Sequence, residues 1–402
     1  MFSEKILKRW HLWQTWAQIV ILLTYNYFTK LNIQHLGRTA KLSQLILIKF
    51  CLLLACLEFF LLKKTKNPTS GWQQFNHYFQ AIAVTFTLQE SLNFLLMMLA
   101  HFHILTSTFW VAAVTLYSFV MYIPMTMLAL VKIQNNWGRI IILFAILFGL
   151  LVGTPSSIAE GLKYAKPLKI LTESGLSGTF ILIIVTAITM REWGFHSPHC
   201  KINSQVSKGM LLGLLLIIVA TTLFNGFSTA ASFNNLFTAW NFKLVKVNWK
   251  LALTAVEAGI AEEWLNRYCV LNLLARIFKN TKQKLILLVV TDGIIFGLFH
   301  FGNLTAQPLS ATLEQMFAVG SWALFIAALY LYTDSLTITM IYHGCWDLLA
   351  FFTTGTTHES VPTTFDWQLD IVFLIIYAAL AYFLISGKRK EVVENNLHQA
   401  GL

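Results

Sequence analysis

The sequence predicts an all-α membrane protein, a polytopic transmembrane helical bundle of about 12 spans. Of its 402 residues 56% are hydrophobic and only 12% are charged, about half the charged share of a soluble domain. Apolar runs long enough to cross a bilayer recur along the chain. These runs are continuous rather than alternating, which favours helices over barrel strands, the other structure that satisfies its backbone within lipid.

The apolar runs give the order of the predicted spans. They lie at roughly 13–29, 45–62, 79–98, 106–131, 139–158, 168–190, 209–227, 251–277, 285–301, 316–333, 336–352 and 367–387. The first run follows Lys5, Lys8 and Arg9 and ends in bulky residues. A signal-peptide cleavage site requires small residues there, so the pattern predicts an anchor and not a cleaved signal.

The distribution of motifs predicts three regions. Residues 1–205 contain membrane helices without motif residues, 206–390 contain the motif-bearing helices with a core at about 250–355, and 391–402 form a short soluble tail. With both ends in the cytoplasm, Lys and Arg are in excess in the cytoplasmic connectors, as the positive-inside rule expects. The chain is therefore expected to be a multi-pass integral membrane protein, in the plasma membrane if the host is bacterial.

The net charge of +11 could indicate a nucleic-acid partner. The Lys and Arg residues cluster in the short connectors, where they anchor topology and meet anionic lipid, so we expect no nucleic-acid partner. The five cysteines are scattered and predict no disulfide framework. His196, His199 and Cys200 lie in a polar connector, which we interpret as a solvated loop because nothing nearby in the sequence completes a metal site.

The first motif lies inside the apolar run 251–277. Glu262, Glu263 and Arg267 are ionisable residues in a predicted membrane helix, where a charge is costly and marks a functional-site candidate. Residues i and i+4 share a helix face, so Glu263 and Arg267 are predicted to pair. Glu262 points about 100° away from that pair and is left available as a general base or acid. The alternative is that all three residues form one structural ion-pair network.

Two further motifs follow in the next membrane segments. Phe296 and His300 are four residues apart and so share a helix face, with Asp292 one turn earlier. His343 and Asp347 repeat the same spacing on a later helix. Each pair alone is weak evidence, because a single membrane histidine is often a hydrogen-bonded core residue. Three such sets on closely spaced helices predict one shared cavity.

Taken in order, EExxxR, FxxxH and HxxxD resemble the motifs of the CPBP family of intramembrane proteases. That family includes CAAX prenyl endopeptidases and bacterial proteins linked to bacteriocin self-immunity. The resemblance covers about a quarter of the chain. It implies that Glu262 and His300 activate water, that His343 and Asp347 line the oxyanion side, and that Glu263, Arg267 and Phe296 have supporting roles. The family often has Asn where this chain has Asp347.

The resemblance implies an intramembrane endopeptidase that hydrolyses a peptide bond of a membrane-associated or lipidated protein or peptide. Family members have been described as metalloproteases and as metal-free glutamate proteases. The HExxH zinc signature is absent from the motif region, so we expect no cofactor. The metal alternative is zinc held by Glu262, His300 and His343.

Two other classes of function stay open at this point. A proton-coupled transporter would use the same ionisable groups as a proton path, although no second copy of the set indicates the inverted repeat of many transporters. A non-catalytic bacteriocin immunity or scaffold membrane protein would keep the fold without needing the acid and base.

Overall fold

The computed structural model describes residues 3–32, 38–62, 71–102, 113, 116–152 and 166–399. The described residues are helical apart from loops and one isolated bridge between Ser228 and Trp240. Two compact units divide the chain, unit 1 over residues 1–193 and unit 2 over residues 194–402. The all-α prediction is confirmed for this part of the chain.

Unit 1 is built from seven described α-helices. They are α1 (Glu4–Asn32), α2 (Arg38–Leu62), α3 (Gly71–His101), α4 (Ile123–Leu128), α5 (Asn136–Val152), α6 (Lys166–Glu173) and α7 (Leu176–Glu192). The first three pack on one another around an apolar cluster that includes Leu22, Ile48 and Phe94. Within a bilayer such contacts stabilise the unit through van der Waals packing, because lipid tails are as apolar as the side chains that they replace.

Unit 2 contains eight α-helices and the motif residues. They are α8 (Lys208–Phe227), α9 (Trp249–Glu263), α10 (Leu271–Ile277), α11 (Lys284–Phe299), α12 (Leu309–Thr333), α13 (Leu336–Thr354), α14 (Thr364–Ile385) and α15 (Lys388–Gln399). A π-helix, Trp264–Val270, joins α9 to α10, and a 3₁₀ segment, His300–Thr305, follows α11. The predicted helix 251–277 is therefore interrupted and is not one regular α-helix.

Side-chain caps fix where several helices of unit 2 begin. The Ser207 hydroxyl accepts a hydrogen bond from the Met210 N–H at 3.2 Å, and the Asn248 side chain accepts one from the Leu251 N–H at 2.9 Å. Thr363 and Asp366 form a reciprocal capping box at the start of α14. Each cap satisfies a backbone donor that the first turn leaves free, which is typically worth about 1 kcal/mol.

Six helices among the described residues are long and apolar enough to cross a membrane. Their apolar stretches are Gln44–Leu61, Gly71–Leu99, Lys208–Phe227, Lys284–Thr305, Leu309–Thr333 and Thr364–Ile385. The predicted count of about 12 spans is not confirmed. The first part of the predicted span 106–131 and the end of the predicted span 139–158 lie outside the described residues.

The C-terminal end of the chain is helical as far as it is described. Within α15, Asn396 is buried and its amide donates to the carbonyl oxygens of Leu331 at 2.9 Å and Tyr332 at 3.2 Å. These carbonyl groups belong to the last turn of α12, where no N–H group of the same helix is available to bond them. Helix α15 therefore packs on α12, and residues 400–402 of the predicted tail lie outside the described part of the chain.

Candidate active site

A close contact between α9 and α13 brings the first and third motifs together. A Cβ atom at Gly259 would lie 2.7 Å from the Met340 carbonyl oxygen and 2.8 Å from the Gly344 nitrogen. Only glycine lets the two backbones approach this closely. Gly259 is one turn before Glu263 and Gly344 follows His343, so this contact places the carboxylates beside the imidazole.

A second glycine contact fixes α11, which carries the FxxxH motif, against α12. A Cβ atom at Gly297 would lie 2.5 Å from the Met316 carbonyl oxygen, and one at Gly293 would lie 2.9 Å from the Gly320 carbonyl oxygen. Gly293 and Gly297 have the GxxxG spacing typical of close helix pairs in membranes. This spacing was readable in the sequence.

The π-helix starts directly after Glu263 and contains Arg267. Single-turn π segments occur frequently at functional sites. Here the Leu271 N–H donates to the Asn266 carbonyl oxygen, five residues back, and the Asn266 amide donates to the Glu262 carbonyl oxygen at 2.9 Å. The Asn266 side chain thus provides a hydrogen-bond donor for the Glu262 carbonyl group, which lies just before the π-helix.

Behind the motif lies a buried ionic network. The Arg267 guanidinium is fully buried; its Nε donates to Glu263 Oε2 at 2.9 Å and its Nη1 donates to Asp292 Oδ2. It also lies over the Phe296 ring, 5.1 Å from the centroid. The predicted pairing of Glu263 with Arg267 is confirmed. Asp292, expected on the stripe of Phe296 and His300, instead completes this network.

His343 lies between carboxylates on both sides of its ring. Its Nδ1 is 3.0 Å from Glu263 Oε1, and because an ionised carboxylate only accepts, Nδ1 carries the proton. Its Nε2 is 3.6 Å from Asp347 Oδ2 and 3.9 Å from Glu262 Oε2. A doubly protonated His343 would therefore face a carboxylate oxygen with each of its N–H groups.

Aromatic side chains hold the His343 ring in place. The Trp322 ring packs edge-on at 5.0 Å and the Phe296 ring at 6.0 Å, centroid to centroid. The Trp322 indole donates to the Tyr342 hydroxyl at 2.9 Å, which in turn bonds Thr221 at 2.8 Å. These contacts restrict the rotation of the imidazole, as a preorganised site requires.

His300 is the first residue of the 3₁₀ segment that follows α11. Its Nδ1 is 2.9 Å from the Phe296 carbonyl oxygen. A carbonyl oxygen can only accept, so Nδ1 is the donor, and the neutral ring presents Nε2 as an acceptor. That Nε2 lies 3.7 Å from Glu262 Oε2.

Glu262 occupies the centre of the arrangement. Its Oε2 has no hydrogen-bond partner among the described residues, and its side chain is 16% exposed. The distances of 3.7 and 3.9 Å to the two imidazoles are too long for direct hydrogen bonds. Because Oε2 is itself buried, a water that bridges these atoms requires a small outward shift of the side chains. The structure thus brings the four predicted catalytic residues Glu262, His300, His343 and Asp347 together.

The same residues can be tested as a metal site. No group of three or more His, Cys, Asp or Glu side chains in the described part of the chain is arranged to hold a metal ion. Glu262, His300 and His343 do not form such a group. His199, which the sequence places in a solvated loop, has its Nδ1 2.5 Å from Asp334 Oδ2. These two residues do not belong to a group of three or more possible metal ligands among the described residues.

Sequence reasoning missed the residues that support the site. Asp292 was recognised only as a neighbour on the helix stripe, and Trp322 was not singled out. A charged residue such as Asp292 in an apolar helix is a signal that it has a buried partner. The partner Arg267 lies 25 positions away and could not be assigned from spacing alone.

The comparison with protein families agrees with this geometry. Residues 244–349 match the family model described as type II CAAX prenyl endopeptidase Rce1-like. The matched segment includes all seven predicted site residues, and the resemblance to the CPBP family of intramembrane proteases is confirmed for this part of the chain. Neither the curated proteins nor the solved structures provide a match.

Proposed function

We propose that the chain is an intramembrane endopeptidase that hydrolyses a peptide bond with water activated by Glu262 and His300, without a metal. The observation that carries the proposal is the position of Glu262 Oε2, which lies 3.7 and 3.9 Å from the two imidazoles and has no other described partner. The family match supports a CAAX-type protease activity. Helix α11, which leads to His300, is one of the candidate membrane spans.

In the proposed mechanism a water bridges Glu262 Oε2 and His300 Nε2. Glu262 takes a proton from this water while the water oxygen attacks the scissile carbonyl carbon. The C–N bond then breaks, and the proton on Glu262 passes to the leaving amine nitrogen. His300 orients the water, because its other nitrogen is held by the Phe296 carbonyl group.

His343 stabilises the negative charge that develops on the carbonyl oxygen. Its Nδ1–H donates to Glu263, so the ring donates from Nε2 only when it is doubly protonated. Asp347 and Glu262 next to Nε2 favour that charged form by attraction. Loss of one donor to a developing oxyanion typically costs about 10²–10³ in rate.

Substrate chemistry follows from the proposed position of the site in the membrane. A site that opens within the bilayer would suit a membrane-associated substrate, such as a lipidated protein tail, a membrane peptide or a secreted peptide precursor. The name of the matched family points to a prenylated CAAX tail as the first substrate to try. We retain about 12 membrane crossings as part of the proposal, and a plasma-membrane location if the host is bacterial.

The test is cleavage by the full-length protein in proteoliposomes. Fluorogenic peptides with a prenylated CAAX end, with the same end unprenylated and with a transmembrane sequence are compared. We expect Glu262→Gln and His300→Ala each to reduce cleavage by about 10²–10⁴. The matched control is Glu394→Gln, an exposed carboxylate paired with Lys390 at 3.5 Å, which should cleave at the wild-type rate.

Two further measurements separate the alternatives. Cleavage that persists after dialysis against a chelator supports the metal-free mechanism, and activity restored only by zinc would replace it with the metal alternative. Full activity of Glu262→Gln would remove the enzyme proposal. Proton flux dependent on Glu262 without proteolysis would favour a transporter, and bacteriocin protection by Glu262→Gln would favour a non-catalytic immunity protein.

A further inference from the structure

Unit 1 contains a second group of polar side chains, buried where α1, α2 and α3 pack together. His11 and Gln18 are each 1% exposed, and Glu58 is completely buried. Helices α2 and α3 both contain candidate membrane spans. Ionisable groups within such helices are costly and are functional-site candidates.

The relative register of α1 and α3 is fixed by two contacts. His11 Nε2 is 3.4 Å from Gln80 Oε1, and the Tyr25 ring stacks on the Phe94 ring at 4.6 Å. The partners differ by the same number of residues, 80 − 11 = 69 and 94 − 25 = 69. The two helices therefore run parallel.

The same register brings a third helix into the group. An offset of 69, the separation of His11 from Gln80, places Gln18 at the level of Thr87. The Thr87 hydroxyl donates to Glu58 Oε1 at 2.7 Å. Gln18 of α1, Glu58 of α2 and Thr87 of α3 thus lie at one level of the bundle.

Hydrogen-bond partners determine which of these atoms are acceptors. The Gln80 amide nitrogen donates to the Glu58 carbonyl oxygen at 3.2 Å, so its Oε1 faces His11. His11 Nε2 must then be the donor, and Nδ1 of the neutral ring is an acceptor. Gln14 is fixed likewise, because its Nε2 donates to the Met121 carbonyl oxygen at 2.8 Å and leaves its Oε1 as an acceptor.

The unsatisfied atoms of this group are mostly acceptors. Buried atoms without a hydrogen-bond partner among the described residues are His11 Nδ1, Gln14 Oε1, Glu58 Oε2 and both amide atoms of Gln18. Four of these five atoms are acceptors and one, Gln18 Nε2, is a donor. Leaving a buried polar atom unsatisfied typically costs about 1–3 kcal/mol. The group therefore has an excess of acceptors.

Glu58 also lacks a positive partner among the described residues. The ion pairs described in unit 1 join Lys8 to Glu4 and Lys169 to Glu173, and neither includes Glu58. Burying a carboxylate without a counter-charge costs several kcal/mol. An excess of acceptors around a lone carboxylate is the arrangement that a cation satisfies.

We propose that unit 1 binds one small monovalent cation at Glu58, held by Glu58 Oε2, Gln18 Oε1 and the Thr87 hydroxyl oxygen. Carboxylate, carboxamide and hydroxyl oxygens are ligands for hard cations. A single carboxylate balances one positive charge, which an alkali ion supplies. His11, Gln14 and Gln18 share one face of α1 and extend a row of acceptors about 10 Å along the helix.

The test uses the full-length protein in lipid nanodiscs, in a buffer whose only other cation is N-methyl-D-glucamine. Equilibrium binding of radioactive sodium, competed with potassium, is measured for the wild type and for Glu58→Gln. We expect one saturable site per chain in the wild type and at least a tenfold loss of affinity in Glu58→Gln. The control is Glu173→Gln, which changes an exposed carboxylate of the same unit and should bind sodium as the wild type does.

A pH-jump arm distinguishes a bound alkali ion from simple protonation of Glu58. Proton uptake of one equivalent that is missing in Glu58→Gln, without sodium binding, would mean that Glu58 is a neutral acid and would overturn the proposal. The other titratable groups near this site are His11 on α1, Cys51 on α2 and Glu90 on α3, so the difference between wild type and variant is the quantity measured.

Gln18→Leu is the second variant, in case Glu58→Gln does not fold. It removes one proposed ligand and leaves the hydrogen bond between Thr87 and Glu58 intact. We expect sodium affinity to fall about tenfold, the equivalent of about 1.4 kcal/mol. Equal binding by wild type and both variants, or no sodium binding by the wild type, would overturn the proposal.

Discussion

Glu263 in unit 2 and Glu58 in unit 1 are both completely buried carboxylates, and their surroundings differ. Glu263 accepts from Arg267 at 2.9 Å and from His343 at 3.0 Å. Glu58 accepts from the Thr87 hydroxyl at 2.7 Å and has a second oxygen without a described partner. A carboxylate with internal counter-charges supports a neighbouring site, whereas one without them is neutralised by a proton or, as we propose for Glu58, balanced by a bound cation.

The two carboxylates also differ in their effect on neighbouring residues. In unit 2 Arg267 pairs with Glu263 and Asp292, so the adjacent Glu262 has no ion pair with Arg267 and can act as a general base. In unit 1 no described Lys or Arg side chain pairs with Glu58. A buried glutamate on a helix therefore predicts different functions, depending on whether a Lys, Arg or protonated His side chain lies close enough to pair with it.

The largest effect is expected when the counter-charge of unit 2 is removed. Arg267→Met leaves Glu263 and Asp292 buried without a positive partner, and breaking a buried pair in this way typically costs about 3–5 kcal/mol. The free energy of unfolding, measured by denaturant titration in detergent, should fall by that amount. Arg276→Met is the control, because Arg276 is only partly buried and packs on the Phe195 ring at 3.5 Å.

Equal losses in the two arginine variants would mean that the buried network does not stabilise unit 2 beyond ordinary packing. The contrast between Glu263 and Glu58 would then lose its energetic basis.

A smaller effect is expected from separating α9 from α13. Gly259→Ala puts a methyl group against the backbone of Met340 and Gly344, and overpacking of this kind typically costs about 1–3 kcal/mol. Cleavage should fall by at least about tenfold, because shifts near 1 Å can cost about 10² in rate. Gly213→Ala is the matched control, since a Cβ atom there meets nothing within 4 Å.

Wild-type cleavage by Gly259→Ala would indicate that the distance between the two helices does not control the relative positions of Glu262 and His343.

Asp347→Asn should change the rate less, within about tenfold. An amide can donate to an oxyanion, while the carboxylate of Asp347 acts through His343 Nε2 at 3.6 Å. We therefore expect kcat to be retained and the pH profile of kcat to shift, because the attraction that favours a doubly protonated His343 is weakened. A loss as large as that of His300→Ala, with an unchanged pH profile, would contradict an indirect role for Asp347.

The smallest effect on proteolysis is expected in unit 1. Glu58→Gln should leave kcat/KM for peptide cleavage at the wild-type value in the proteoliposome assay, while its sodium affinity falls at least tenfold. A parallel loss of cleavage would show that Glu58 and the carboxylates of unit 2 serve one activity and are coupled.

Much of the site could be predicted because its motifs are local. Glu263 and Arg267, or Phe296 and His300, are one helical turn apart, so spacing alone places them on one face. The π-helix from Trp264 to Val270 could not be predicted from such periodicity. Nor could the contact of Arg267 with Asp292, which depends on how two helices pack and not on local spacing.

The fold was predictable only at a coarse level. Continuous apolar runs indicate helices, but they do not show which side of a helix Glu58, Gln18 and Gln80 occupy. Whether such a residue is buried and bonded is decided by its neighbours on other helices. The register that joins His11 to Gln80 and Tyr25 to Phe94 depends on those neighbours, which is why the polar group of unit 1 was not recognised in the sequence.

The most direct test of the central claim compares Glu262→Gln with Glu263→Gln in one preparation. Single-turnover cleavage and the free energy of unfolding are measured for both variants. We expect Glu262→Gln to lose at least about 10² in rate with a free energy of unfolding within about 1 kcal/mol of the wild type. Glu263→Gln should lose stability as well as activity. A folded Glu262→Gln that cleaves at the wild-type rate would contradict the account.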